Sequence, residues 1–169
     1  MQKRFIFGII LFIVCAVGLQ RSMNSTSSSQ PEMISAASAS IQSEIKFDLR
    51  DYQWQHRIVL IFAPSDQSLS YQNQMQQWSG MTDAIRDRHL KIIEVFTTAQ
   101  SRVDGQPIDR ESSDQLQKQF GIDPNQFAIV LVGKDGTEKQ RETTPTNPTV
   151  FFRTIDAMPM RQQEMRSEQ

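Results

Sequence analysis

Apolar positions along the chain come as one long unbroken run near the start and then as shorter blocks separated by polar, turn-rich stretches. The first run, residues 5–19, is 15 residues without a charge, preceded by Lys3-Arg4 and followed by Gln20-Arg21-Ser22. Cations followed by an apolar core match the first two regions of a secretory signal. A helix of that length covers about 22 Å, short of the roughly 30 Å hydrocarbon core of a bilayer. The pattern predicts a signal peptide, or an N-terminal membrane anchor if it is not cleaved, over residues 1–21. Ala16-Val17-Gly18 offers small residues for cleavage, although they sit inside the apolar run.

Residues 22–43 carry nine serines with few large apolar side chains. Such a stretch buries too little surface to offset its ordering entropy, so it reads as a disordered linker. Asn24-Ser25-Thr26 matches a glycosylation acceptor, a short pattern that is common by chance.

Beyond the linker the periodicity changes. Phe47-Asp48-Leu49 is too short to assign, and Tyr52-Gln53-Trp54 reads as a loop with two aromatic anchors. Residues 58–63 (Ile-Val-Leu-Ile-Phe-Ala) are continuously apolar and β-branched and end at Pro64. That is the pattern of a strand covered on both faces. After a polar loop, Met75, Trp78, Met81 or Thr82, and Ile85 recur at helical spacing, predicting one helix over residues 71–88 that Gly80 weakens midway. Residues 90–96 predict a second strand, and a loop containing Gly105 and Pro107 follows. Ser112-Ser113-Asp114 reads as the start of a helix that presents Leu116 and Phe120 and stops at Gly121. Residues 127–132 predict a third strand of buried type. Lys134-Asp135-Gly136 predicts a tight hairpin turn into an edge strand over residues 137–141, since Asp-Gly suits the positive φ of two-residue hairpins. Past Pro145 and Pro148 a last helix starts near Thr149 and presents Val150, Phe151, Phe152, Ile155 and Met158.

The order β-α-β followed by α-β-β-α defines an α/β domain over residues 44–166. A thioredoxin-like arrangement fits it best, a central mixed sheet of about four strands flanked by helices, with a ferredoxin-like split βαβ as the alternative.

Charge narrows the function. The chain carries 18 Lys+Arg against 19 Asp+Glu, and Lys3, Arg4 and Arg21 lie ahead of the domain. The domain is therefore mildly acidic with interspersed charges, and it lacks the basic stripe of a nucleic-acid binder. Its partner is expected to be an envelope or extracellular protein rather than nucleic acid, with membrane contact through the N-terminal segment if that is retained. The expected location is exported, periplasmic or cell-envelope associated, in a bacterium.

Three stretches together resemble a known family. They are Arg57-Ile58-Val59-Leu60-Ile61-Phe62-Ala63-Pro64, Leu131-Val132-Gly133-Lys134-Asp135-Gly136, and Ile155-Asp156-Ala157-Met158-Pro159-Met160-Arg161. The chain resembles the domain of unknown function DUF4174 family over roughly residues 45–166. The resemblance implies a thioredoxin-like fold, similar to a peroxiredoxin-like domain in some extracellular animal proteins, and brings no biochemical activity with it. A peroxiredoxin places its attacking cysteine in the loop after a strand, in a pattern like Phe-Tyr-Pro-x-Asp. Phe62-Ala63-Pro64-Ser65-Asp66 is similar to that pattern, and the cysteine position falls at Ser70 or Tyr71. The thioredoxin proline that precedes the turn glycine would fall at Ala128.

The chain has one cysteine, Cys15, inside the apolar run. Val14 before it is not the small residue a lipoprotein signal needs, so Cys15 reads as an apolar residue of the N-terminal segment. Thiol chemistry requires a thiolate, so the domain is expected to be neither a thiol oxidoreductase nor a peroxidase. His56 and His89 precede the first and second strands, away from the loop at residues 65–71, so no Ser–His pair is expected. No histidine pair or His-x-x-Glu spacing points to a metal, and no cofactor is expected. The candidate binding residues are Ser65, Asp66, Ser70 and Tyr71 in the old active-site loop, with Met158 and Arg161 around Pro159. Methionines flanking a proline can line an adaptable face. The leading expectation is a redox-inactive binding or scaffold module. The rival is a hydrolase-type enzyme using Ser65, Asp66 and Tyr71, which requires a base close to a loop hydroxyl.

Overall fold

The computed structural model describes residues 43–167. The N-terminal apolar segment and all but the last residue of the serine-rich linker lie outside the described residues. Among the described residues no helix is long and apolar enough to cross a membrane.

Strand β1, Arg57–Ala63, is buried along its whole length. It pairs in parallel with β2, Leu90–Phe96, and antiparallel with β5, Ala128–Val132. The edge strand β6, Glu138–Glu142, pairs antiparallel with β5. These four are the strands that the periodicity predicts. Two short ones, β3 (Arg102–Val103) and β4 (Gln106–Pro107), extend the sheet on the far side. The sheet therefore has six strands, ordered β4-β3-β2-β1-β5-β6, rather than about four.

Alternation along β1 feeds two cores. Ile58, Leu60 and Phe62 pack with Ile93, Val95, Val130 and Leu116 on one face. Val59, Ile61 and Ala63 pack with Phe96, Leu131, Trp78, Phe151 and Ile155 on the other. Helix α3, Arg110–Phe120, contributes to the first core, whereas α1, Leu69–Trp78, α2, Thr82–Asp87, and α4, Pro148–Asp156, contribute to the second. Because both faces are covered, a polar residue in β1 or β5 would lose water on either side, which is why both runs are continuously apolar.

Five local expectations need correction. The single helix over residues 71–88 is two helices, α1 and α2, because Gly80 at φ +79° ends the first. Helix α3 starts earlier than Ser112. Asp109 caps it by accepting from Ser112 N at 2.7 Å, and Ser112 Oγ is turned inward to accept from Phe47 N at 2.9 Å. The loop at Gly105 is a hairpin in which Asp104 (φ 50°) and Gly105 (φ 79°) join β3 to β4, the double positive φ of a type I′ turn. At Lys134-Asp135-Gly136, by contrast, only Gly136 has positive φ. There Gly133 N donates to Thr137 O and Gly136 N to Gly133 O, so three residues close the loop with a bulge at its end. Finally, the C-terminal helix breaks at Ala157-Met158, and α5, Pro159–Ser167, continues separately with proline in its first turn.

Candidate functional site

The loop leaving β1 is built from its own hydroxyls. Ser65 N donates to Ser68 Oγ at 3.1 Å, and Gln67 N donates to Ser65 Oγ at 3.3 Å. Thr98 on the neighbouring segment donates to Pro64 O through both its amide and its hydroxyl. Asp66 accepts from the side chain of Gln67 at 3.4 Å. Ser65 and Ser68 thus hold the turn, and Ser70 lies half-buried in the first turn of α1.

Tyr71 points into the protein and is 8 % exposed. Its hydroxyl donates to Glu94 Oε2 at 2.5 Å, and its ring packs edge-on against Phe96. Arg102, from β3, closes the group by donating to the same Glu94 oxygen from Nη2 at 2.8 Å and Nε at 3.2 Å. Burial, reinforced by the Glu94 carboxylate, pushes the Tyr71 hydroxyl up to about 12. A carboxylate does lie within reach of a loop hydroxyl, as the enzyme reading requires. Its effect is the reverse of activation, because at neutral pH Tyr71 is held as a protonated donor and Glu94 is occupied by Arg102.

Met158 and Arg161 stand elsewhere. They belong with the start of β1, and a seven-residue strand separates that end from the Ser65–Tyr71 loop by about 20 Å. Arg161 is 2 % exposed, donating to Asp87 O at 2.8 Å and pairing with the Asp87 carboxylate. It is an internal brace rather than part of an accessible face. Beside it, Glu164 of α5 accepts from Arg57 Nη1 at 3.0 Å, Arg57 Nη2 at 3.2 Å and Lys134 Nζ at 2.8 Å. Burial pushes Glu164 up, but hydrogen bonds from Arg57 and Lys134 outweigh it and hold the carboxyl below its ordinary value. His89 Nδ1 lies 3.0 Å from Lys134 Nζ at this same end, and His56, lowered by burial, immediately precedes β1. Neither histidine is at the Ser65–Tyr71 loop.

Met158 also lines a cavity of about 440 Å³ with Trp54, Arg57, Lys134, Lys139 and Met160. Trp54 is 61 % exposed and takes a left-handed backbone conformation at φ 67°. Its amide donates to Lys134 O at 2.6 Å while Gln53 Nε2 donates to Asp135 O at 2.9 Å, pinning this turn to the β5–β6 hairpin. The sequence marks Trp54 as an aromatic anchor, but the hairpin that it meets lies 80 residues on and leaves no local signal.

The strand order and the helices on both faces define a thioredoxin-like domain. Among solved structures it is similar to the reduced 2-Cys peroxiredoxin of Plasmodium vivax, at 12% identity and TM-score 0.52, over 69% of this chain and 85% of that one. It is also similar to thioredoxin peroxidase I of Plasmodium yoelii, at 14% identity and TM-score 0.51, over 68% of this chain and 79% of that one. At such identities the likeness concerns the fold alone. The chain belongs to the family described as domain of unknown function (DUF4174), whose pattern matches residues 48–164. Coiled-coil domain-containing protein 80 of Danio rerio is 26% identical over 137 residues, 72% of this chain and 16% of that protein. Sushi repeat-containing protein SRPX of Homo sapiens is 27% identical over 120 residues, 69% of this chain and 26% of that protein. The chain spans about a quarter or less of the length of these curated relatives.

Proposed function

We propose that this protein is an exported or membrane-anchored module of the bacterial cell envelope that binds rather than catalyses, on a thioredoxin-like frame without thiol chemistry. The observation that carries this reading is Tyr71. The family resemblance aligns the attacking-cysteine position with Ser70 or Tyr71, and Tyr71 is a buried phenol locked to Glu94 and Arg102. A phenol raised to about 12 supplies no nucleophile at neutral pH, and Ser65 and Ser68 of the loop each accept from a backbone amide. Export rests on Lys3, Arg4 and the apolar run over residues 5–19. Its partner on this reading is a protein or small ligand of the envelope, met at the end of the domain where Met158 lies.

Two measurements test it. The purified protein should not reduce insulin disulfides above the rate of a denatured control, and reduction well above that control overturns the redox-inactive reading. A reporter active only outside the cytoplasm, fused after Gln169, should be active in cells, whereas activity of a cytoplasm-only reporter there overturns export.

A further inference from the structure

The cavity beside Met158 combines three features that no packing requirement explains. Trp54 is a bulky aromatic residue held in the left-handed region, where such residues are outliers, and it is nevertheless left exposed at the rim. Met158, Pro159 and Met160 give the wall a soft apolar character. The charged lining is mostly cationic. Lys139 pairs with Asp135, whereas Arg57 and Lys134 share the single carboxylate of Glu164 behind the wall, which leaves one positive charge in excess. Arg57 is 1 % exposed and its Nε has no hydrogen-bond partner among the described residues. The N-terminus of α5, at Pro159 and Met160, adds the positive end of a nine-residue helix to the same wall. Gly133 completes the shape, because a side chain there would sit 2.6 Å from Lys139 Cε, where the lysine stem now lies.

We infer that this cavity is a binding site for a small amphipathic anion, with an apolar body against Trp54 and Met158 and an acidic head toward Lys139, Arg57 and the α5 N-terminus. The inference deepens the reading of the domain as a binding module and rests on it. A volume of about 440 Å³ falls in the range of small-molecule sites. The excess of positive lining selects an anion over a neutral apolar molecule.

The test is a dye titration on the full chain. Anilinonaphthalene sulfonate has an aromatic body and one anionic head, and phenylnaphthylamine is its neutral counterpart. The sulfonate dye should bind about tenfold tighter than the neutral one, and W54G should weaken it by about tenfold. K139E, on the exposed edge strand, should weaken it several-fold. Dye held by the apolar run at residues 5–19 is common to all variants, so each dye's binding at the site is read as the part that W54G removes. W54G should melt no lower than the parent, since glycine adopts the turn freely. Decanoate should displace the dye and decanol should not. Equal binding of the two dyes, or unchanged affinity in both variants, overturns the site. Displacement by anionic phospholipid vesicles with decanoate inert also overturns it, assigning the patch to a membrane surface. None of these results alters the expected insulin assay, so the site and the redox-inactive reading fail separately.

Discussion

Tyr71 and Glu94 meet between α1 and β2, with the phenol donating to Glu94 Oε2 at 2.5 Å. The contact joins the first turn of the helix after β1 to the middle of the next strand. Replacing the phenol in Y71F removes a hydrogen bond to a charged acceptor and leaves the ring packing on Phe96 intact. The expected loss is about 1.5–3 kcal/mol, read from chemical denaturation. The same pair has an alkaline signature. The Tyr71 hydroxyl, ordinarily near 10, is raised to about 12 by burial and then by Glu94. The folded state therefore holds this proton more tightly than the unfolded chain does. Its stabilisation is complete below pH 10 and is lost as pH rises toward about 12. Y71F should flatten that part of the stability profile, while Tyr52, also raised by burial, still titrates. An unchanged profile in Y71F would contradict the lock.

Helix α5 is attached by charge more than by apolar burial, since Arg161 is its buried residue. Removing Glu164 leaves Arg57, which is almost wholly enclosed, without its carboxylate. E164A is expected to cost about 3–5 kcal/mol. The carboxyl of Glu164 is held below its ordinary 4.5, so its contribution is present above that value and is lost as pH falls through the folded value. Protection of the α5 amides, measured against their intrinsic exchange rates, should fall below about pH 4.5, earlier than that of β1. Equal protection of α5 and β1 in acid would refute this attachment.

Gln74 is fully buried and works as a double brace. Its Nε2 donates to Thr146 O at 2.9 Å and its Oε1 accepts from Thr146 N at 2.7 Å, fixing the segment that leads into α4. Q74L keeps the volume but leaves both backbone groups unpaired. It should cost about 2–4 kcal/mol, more than a typical surface change, because two partly buried backbone groups of Thr146 lose partners. A loss within about 0.5 kcal/mol in a denaturation series would show that water replaces the side chain.

The central strands were readable because a sheet covered on both faces demands unbroken apolar runs, as in β1 and β5. Gly121 likewise marked the end of α3 correctly, at φ 62°. Short elements were not readable. The β3–β4 hairpin has two residues per strand, too few for alternation to appear, although its Asp104-Gly105 turn carries the same dipeptide signal as Asp135-Gly136. Gln74 falls on a polar stretch of α1, so no apolar pattern marks it as internal. Ser65, Asp66, Ser70 and Tyr71 are neighbours in the chain and remain so in space. The inward turn of Tyr71 depends on Glu94, 23 residues away, and on Arg102 beyond it. The charge cluster was hidden for the same reason, since Arg57 and Glu164 are separated by 107 residues. Arg161 reads from the sequence as a candidate binding residue near Pro159, and only the fold reveals that it pairs with Asp87.

Peroxide consumption tests the proposed absence of thiol chemistry most directly. Three forms of the full chain should be compared in the presence of a dithiol reductant: the natural sequence, C15S, and Y71C. The natural sequence and C15S should consume peroxide no faster than a denatured control, because the domain holds no cysteine and Tyr71 stays protonated. Y71C places a thiol where the resemblance aligns the attacking cysteine, beside Arg102, and should react with peroxide faster than C15S. Peroxide consumption well above the control by C15S would contradict the account, since it would require a reducing centre other than a cysteine.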